Sequence, residues 1–183
     1  MNDYEYCILN SDNTKDLEEF EKRAFHAFSI VSPDWWIMNT YQIIDNCRIR
    51  PTIGYSDIIL YALKENSNIL AGMAININVD KYVDFLELGF SRKAIENKKD
   101  WCEGLYFFSR PESLKKTIER MKIYKKFKQF IFSKLNDLNV YKTIGSCNEK
   151  LKAFHLMNGA KIIDKIMLNG EIEYLIEYLN RKK

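Results

Sequence analysis

The stretch Thr143 to Ala160, Thr-Ile-Gly-Ser-Cys-Asn-Glu-Lys-Leu-Lys-Ala-Phe-His-Leu-Met-Asn-Gly-Ala, reads as a short strand, a helix cap and a helix that stops at a glycine. Asn148 can accept from the free N–H groups of a first helical turn, and Glu149 stands in the positive field there. Leu151, Phe154 and His155 fall at helical spacing, with Ala153, Leu156 and Met157 widening the apolar side. Gly159 supplies the left-handed residue that ends such a helix.

Working outward, Val140 to Cys147 is the strand that feeds this helix. After it come Lys161 to Leu168 and Glu171 to Leu179, two β-type runs around Asn169-Gly170. Asn-Gly between such runs signals a hairpin, because both turn residues take positive φ. Upstream, Trp101 to Ser109 is apolar and β-prone and reads as a central strand. Between the two central strands, Phe127, Phe130, Ile131, Leu135 and Leu138 trace one helical face. That helix starts near Tyr124, or runs unbroken from about Glu112 behind Pro111.

The N-terminal half reads as a strand at Tyr4 to Leu9, then a helix over Lys15 to Phe28 capped by Ser11 or Asp12. A second helix is expected from Asp34 to about Ile44, carrying Trp35, Trp36, Met38 and Tyr41. Arg48 to Ser56 reads as a loop. Asp57 to Lys64 and Ile69 to Asn78 are strands joined by the polar turn Glu65-Asn66-Ser67-Asn68. Tyr82 to Phe90 is a further apolar run of strand type, and Arg92 to Asp100 is polar and expected to be exposed.

A chain of 183 residues, 46% hydrophobic and 14% aromatic, fits one domain with a real core. No apolar window is long enough to span a bilayer, and the first residues lack a signal-peptide pattern. The four cysteines, Cys7, Cys47, Cys102 and Cys147, form no Cys-x-x-Cys pair. They suit reduced thiols and a cytoplasmic location better than a disulfide frame, and with only two histidines a metal site is not expected.

The net charge of +3 conceals an asymmetry: 12 basic and 17 acidic residues up to Arg110, against 16 basic and 8 acidic after it. Lys115, Lys116, Arg120, Lys122, Lys125, Lys126 and Lys128 cluster, opposed by Glu119 alone. Such a cluster attracts phosphates, an acidic protein or nucleic acid, or is simply a solvated helix face. Nucleic acid is the least favoured of these, because no stacking aromatics interleave with the lysines.

The opening stretch resembles the second motif of the GCN5-related N-acetyltransferases (GNAT). That motif runs strand, Asn-x-x-Ala-x-x-x-Tyr-x-x-x-Gly-Phe, strand. Asn148 and Gly159 match in register, and Phe154 falls on the variable position just before the tyrosine's. Leu151 stands at the small-residue position, His155 at the tyrosine and Ala160 at the phenylalanine. The order of elements is similar to the family's over nearly the whole chain. The resemblance implies an α/β (α+β) fold in a single domain. Its core would be a mixed, mostly antiparallel sheet of about seven strands flanked by helices. Trp101 to Ser109 would be the fourth strand and Val140 to Cys147 the fifth, splayed apart.

What the resemblance implies for function is transfer of an acyl group, acetyl first among the options, from acyl-CoA to an amine by direct attack. The acceptor would be a small-molecule or a protein amine. His155 would occupy the position of the acid and Glu103 that of the base, with Glu87 as the rival carboxylate. His155 also fits a buried helix histidine bonded to a carbonyl. Donor contacts would come from Phe107, Phe108, Ser109, Lys125, Lys126, Phe127, Lys128 and Asn148. Ser109 and Cys147 could line the donor arm. The second helix and the loop Arg48 to Ser56 would shape the acceptor side.

The family's Arg/Gln-x-x-Gly-x-Gly/Ala pyrophosphate motif is missing. Its glycines would fall near Lys126 and Lys128, and no glycine occurs between Gly104 and Gly145. A Cβ at such places blocks the close backbone approach that phosphates need. Three readings follow: a donor bound by lysine charge, an acyl carrier protein as donor whose acidic surface meets the lysines, or a non-catalytic binding module that kept only the fold.

Overall fold

The computed structural model describes residues 4–10, 12–31, 41–52, 54–79, 85, 88–95, 100–109 and 117–180, the side chains of 28–31 and 117–120 excepted. Nine strands and three α-helices fall within them: β1 (Tyr4–Ile8), α1 (Thr14–Val31), β2 (Tyr41–Ile44), β3 (Arg48–Pro51), β4 (Ile58–Glu65), β5 (Asn68–Asn76), β6 (Trp101–Ser109), α2 (Thr117–Asp137), β7 (Lys142–Asn148), α3 (Glu149–Met157), β8 (Lys161–Leu168) and β9 (Glu171–Leu179). Seven strands form one sheet in the order β1-β4-β5-β6-β7-β9-β8, and β2-β3 is a separate hairpin. Two compact units divide the chain, Met1–Ile75 with Leu105–Ile131, and Asn76–Gly104 with Phe132–Lys183.

In the first unit, α1 is capped by Asn13, not by Ser11 or Asp12. Asn13 Oδ1 accepts from the Asp16 N–H at 3.3 Å, while Asp16 accepts in return from Asn13 Nδ2. The buried face of α1 carries Phe20, packed edge-on to Phe108 of β6 at 4.9 Å. Gly72 of β5 lies under these two rings. A Cβ there would sit 2.4 Å from Phe20 and 2.5 Å from Phe108, so the packing itself demands glycine. Helix α2 buries Phe127, which stacks on Tyr6 of β1 at 6.3 Å between ring centroids.

Two expectations for this unit are corrected. Tyr41–Ile44 is strand rather than the end of a helix, and Arg48–Pro51 is its partner strand rather than loop. Asp45 and Asn46 turn the chain between them at φ 52° and 53°, a conformation these two residue types tolerate. The rest of that expected helix, residues 34–40 with Trp35, Trp36 and Met38, lies outside the described residues. The hairpin is pinned to α1 by Glu21, whose side chain is fully buried. Its Oε1 accepts from Arg50 Nε at 2.6 Å and from the Tyr55 hydroxyl at 2.8 Å, and its Oε2 faces Arg48 at 3.5 Å.

In the second unit, β7 and β9 pair antiparallel over seven residue pairs, from Lys142–Leu179 to Asn148–Glu173. The β8–β9 hairpin turns at Asn169 (φ 48°) and Gly170 (φ 83°), as its Asn-Gly pair requires. On one face Trp101, Ile144 and Leu175 pack with Phe85, Phe90 and Ile95. Ile95 is therefore core, although its polar surroundings in sequence suggested exposure. On the other face Cys147, Tyr174 and Ile176 pack with Leu151 of α3. Most of the expected strand Tyr82–Phe90 lies outside the described residues; Leu88 and Gly89 form a turn.

Candidate active site

The pairing of β6 with β7 is parallel and covers three rungs, Trp101–Lys142, Cys102–Thr143 and Glu103–Ile144. Both strands run on beyond the last rung, β6 to Ser109 and β7 to Asn148. At the point where the ladder ends the two backbones come close: a Cβ on Gly145 would lie 3.1 Å from the Gly104 carbonyl oxygen.

Residues in register share a face of a sheet, and successive residues alternate. Glu103 is in register with Ile144 and shares the face of Trp101 and Leu175. Thr143 is in register with Cys102 and Tyr178, on the face that carries α3. Glu103 and Tyr178 thus occupy neighbouring rungs and opposite faces.

Glu103 is 5% exposed. Its carboxyl faces the Asn76 side-chain amide at 3.5 Å, a weak contact, because Asn76 is held by its own turn. Asn76 Nδ2 donates to the Asn78 carbonyl at 3.0 Å, and Asn76 Oδ1 accepts from the Asn78 N–H at 2.8 Å. Burial pushes the Glu103 carboxyl up to about 8, opposed only in part by Asn76. A carboxyl tuned toward neutrality in this way is suited to take a proton at physiological pH.

His155 sits in the last turn of α3. The helix ends there in a Schellman arrangement, with the Ala160 N–H donating to the His155 carbonyl and the Gly159 N–H to that of Leu156, both at 3.0 Å. Gly159 adopts φ 88°, which explains the glycine. The His155 ring lies edge-on to Phe154, and its Nδ1 is 2.8 Å from the Tyr178 hydroxyl. Burial pulls the imidazole down to about 4, so the ring is neutral at pH 7.

The remaining sequence candidates divide. Asn148 caps α3, its Oδ1 accepting from the Leu151 N–H at 3.2 Å. Phe108 and Phe127 are core residues, whereas Phe107 is 36% exposed and Ser109 half-buried. Lys125 and Lys126 are exposed, and Lys128 is half-buried with its ammonium pulled down by burial and by Lys125. Helix α2 is continuous from Thr117, which excludes a helix start near Tyr124. The amides of Lys125 to Lys128 are therefore committed to carbonyls one turn back and cannot cradle a pyrophosphate. Cys147 is buried, its thiol pushed up to about 12 by desolvation and by Glu173 and Glu149, so it is no nucleophile. Glu87 lies outside the described residues.

Two residues that contact these candidates escaped the sequence reading. Tyr178 could have been found from the Asn169-Gly170 hairpin, since alternation along Glu171–Leu179 places it with Tyr174 and Ile176. Asn76 carried no comparable signal.

No family model matches this chain, and no curated protein matches its sequence. Solved structures do match its fold. The AHL synthase LasI superposes with a TM-score of 0.68 at 9% identity, covering 99% of this chain and 92% of LasI. FeeM, an N-acyl amino acid synthase from uncultured soil microbes, gives 0.63 at 12% identity over 98% of this chain and 92% of FeeM. The PaiA N-acetyltransferase from Thermoplasma acidophilum, solved in complex with coenzyme A, gives 0.56 at 13% identity over 97% and 99%. This chain has the GNAT fold. In the terms of that fold, β6 and β7 are the fourth and fifth strands of the sheet, and α3 is the helix that follows the fifth. The mixed seven-stranded sheet agrees with the architecture expected from the sequence.

Proposed function

We propose that this chain is an N-acyltransferase that moves an acyl group, acetyl or longer, from acyl-CoA to an amine. The observation that carries this reading is the placement of a raised carboxyl, Glu103, and a neutral imidazole, His155, on opposite faces of the sheet beside the end of the β6–β7 ladder. The amine would approach on the Glu103 face. Its nitrogen attacks the thioester carbonyl, the C–N bond forms and the C–S bond breaks. Ionised Glu103 takes the proton that the amine loses, and the thiolate departs toward the His155 face. Direct attack needs no enzyme nucleophile, consistent with the inert Cys147.

The backbone of β7 beyond Ile144 supports the donor side of this reading. Gly145 to Asn148 bond to β9 on one side and continue past the β6 ladder, the arrangement that lets an amide-bearing pantetheine arm add as a strand would.

A second reading, an acyl carrier protein as donor, is favoured by one feature. Lys122, Lys125 and Lys126 lie exposed on α2, where they offer a cationic docking face in place of the missing phosphate loop. The two donor forms separate experimentally. Thiol release from acetyl-, hexanoyl- and decanoyl-CoA, and from the matching acyl carrier proteins, is measured against a panel of amines. Release that depends on amine and is lost in Glu103→Gln supports acyl transfer. A folded protein that releases no thiol from any donor supports the binding-module alternative.

A further inference from the structure

We propose that Tyr178 is a positioning residue that holds His155 as the neutral tautomer protonated on Nε2, so that His155 offers the departing sulfur a hydrogen bond rather than a proton. This rests on the acyl-transfer reading only for its consequence; the tautomer itself rests on geometry.

His155 presents two acceptors to the Tyr178 hydroxyl. Ring Nδ1 is at 2.8 Å. The His155 backbone carbonyl is at 3.4 Å and already accepts N–H groups from Asn158 at 3.1 Å and Ala160 at 3.0 Å. A carbonyl with two amide donors has little capacity left for a third, and 3.4 Å is long for O–H···O. Of these two His155 acceptors, Nδ1 is the nearer and the one with capacity left, so the geometry points to the hydroxyl donating there and to an unprotonated Nδ1. The ring's single proton then resides on Nε2, the nitrogen with no protein partner among the described residues.

Three surroundings keep this pair fixed. Phe132 of α2 packs on Tyr178 at 6.2 Å between centroids, and Phe154 of α3 lies edge-on to the imidazole at 5.4 Å. Tyr178 keeps its proton, because burial and Cys147 raise it above its ordinary value. Among the described residues, burial alone sets the direction in which the imidazole shifts.

The consequence concerns the leaving group. A neutral Nε2–H stabilises negative charge on sulfur by a hydrogen bond without being consumed. The thiolate leaves as an anion and exchanges protons with solvent, while the proton lost by the amine goes to Glu103. Atoms and charge balance with no proton passing through the imidazole. The device differs from a hydroxyl acid at the same helix position in needing a second residue, on another strand, to orient it.

The test is long-range proton–nitrogen correlation NMR on protein labelled with nitrogen-15 in histidine, at pH 7. The other histidine, His26, is assigned by its loss in His26→Gln. The expected spectrum has His155 protonated on Nε2 alone, and Tyr178→Phe converts it to a mixture of both tautomers. A ring protonated on Nδ1, or on both nitrogens, overturns the proposal, as does a Tyr178→Phe spectrum identical to wild type. In the transfer assay, His155→Gln, which retains an N–H donor, is expected to be at least ten-fold faster than His155→Ala. Equal rates overturn the hydrogen-bond role. Should wild-type protein transfer no acyl group while the spectrum is as expected, the acyl-transfer reading fails and the tautomer assignment stands.

Discussion

Glu103 and Tyr178 occupy adjacent rungs of the central sheet and project from opposite faces of it. One strand of the sheet, β7, lies between theirs, so their backbones are about 10 Å apart. In the proposed reaction, proton removal and thiolate departure take place on these two different sides.

Glu103→Gln keeps the shape of the side chain and removes its basicity. Transfer is expected to fall by about 10² to 10⁴ in kcat/KM, the range of a lost general base. In wild-type protein the rate should rise with pH and level off above about pH 8, where the carboxyl ionises. A pH–rate profile flat from pH 6 to 9 would remove Glu103 from the chemistry.

The same carboxyl makes stability depend on pH. Its folded value of about 8 lies above the ordinary 4.5, so the folded state prefers the protonated form. Stability from this group is fully present below pH 4.5 and is lost as pH rises through 8. Glu103→Gln should therefore raise the melting temperature relative to wild type at pH 9, and much less at pH 5. Scanning calorimetry of both proteins at the two pH values checks this.

His155 has the opposite slope. The folded value of about 4 lies below the ordinary 6.5, so the folded state prefers the neutral ring. Its contribution is whole above pH 6.5 and is lost as pH falls toward 4. His155→Gln should flatten the acid limb of the unfolding curve between those values, as followed by circular dichroism.

Gly72→Ala places a methyl group against Phe20 and Phe108 where no room exists. Overpacking of this kind costs about 1–3 kcal/mol, readable as a lower urea midpoint. Phe108→Leu in the same protein should recover part of the loss. If Gly72→Ala is as stable as wild type, the rings have more freedom than their edge-on packing implies.

Glu21→Ala removes the acceptor shared by Arg50 and Tyr55 and faced by Arg48. Breaking a buried ion pair from one side costs about 3–5 kcal/mol, less here because Arg50 is partly exposed to water. Amide exchange should quicken in Tyr41–Pro51 ahead of the rest of the first unit. Uniform quickening would mean the hairpin is held by something other than Glu21.

The sequence was most legible where one local rule suffices. Asn148 and Gly159 bracket α3 because a cap oxygen and a positive φ are needed at those two points. Asn169-Gly170 set the last hairpin for the same reason. The β2–β3 hairpin was illegible: each strand has four residues, too few for alternation to show. Its Asp45-Asn46 turn uses side chains that tolerate the left-handed region without a glycine to announce it. The site candidates were half legible. Register with a motif pointed to His155 and strand position to Glu103, yet the side chain that each contacts comes from elsewhere in the chain. Tyr178 reaches His155 across 23 residues, and Asn76 reaches Glu103 across 27. For the lysines at 125 to 128, the sequence left open a helix that starts near Tyr124 and one that runs unbroken from about Glu112; apolar spacing alone does not separate the two, and the structure runs the helix continuously from Thr117.

Isothermal titration of the protein with acetyl-, hexanoyl- and decanoyl-CoA tests the central claim most directly, because it needs no knowledge of the acceptor. Saturable binding of at least one thioester, preserved in Glu103→Gln, is the predicted result. A folded protein that gives no binding heat with any of the three, and no thiol release from an acyl carrier protein, would contradict the acyltransferase account.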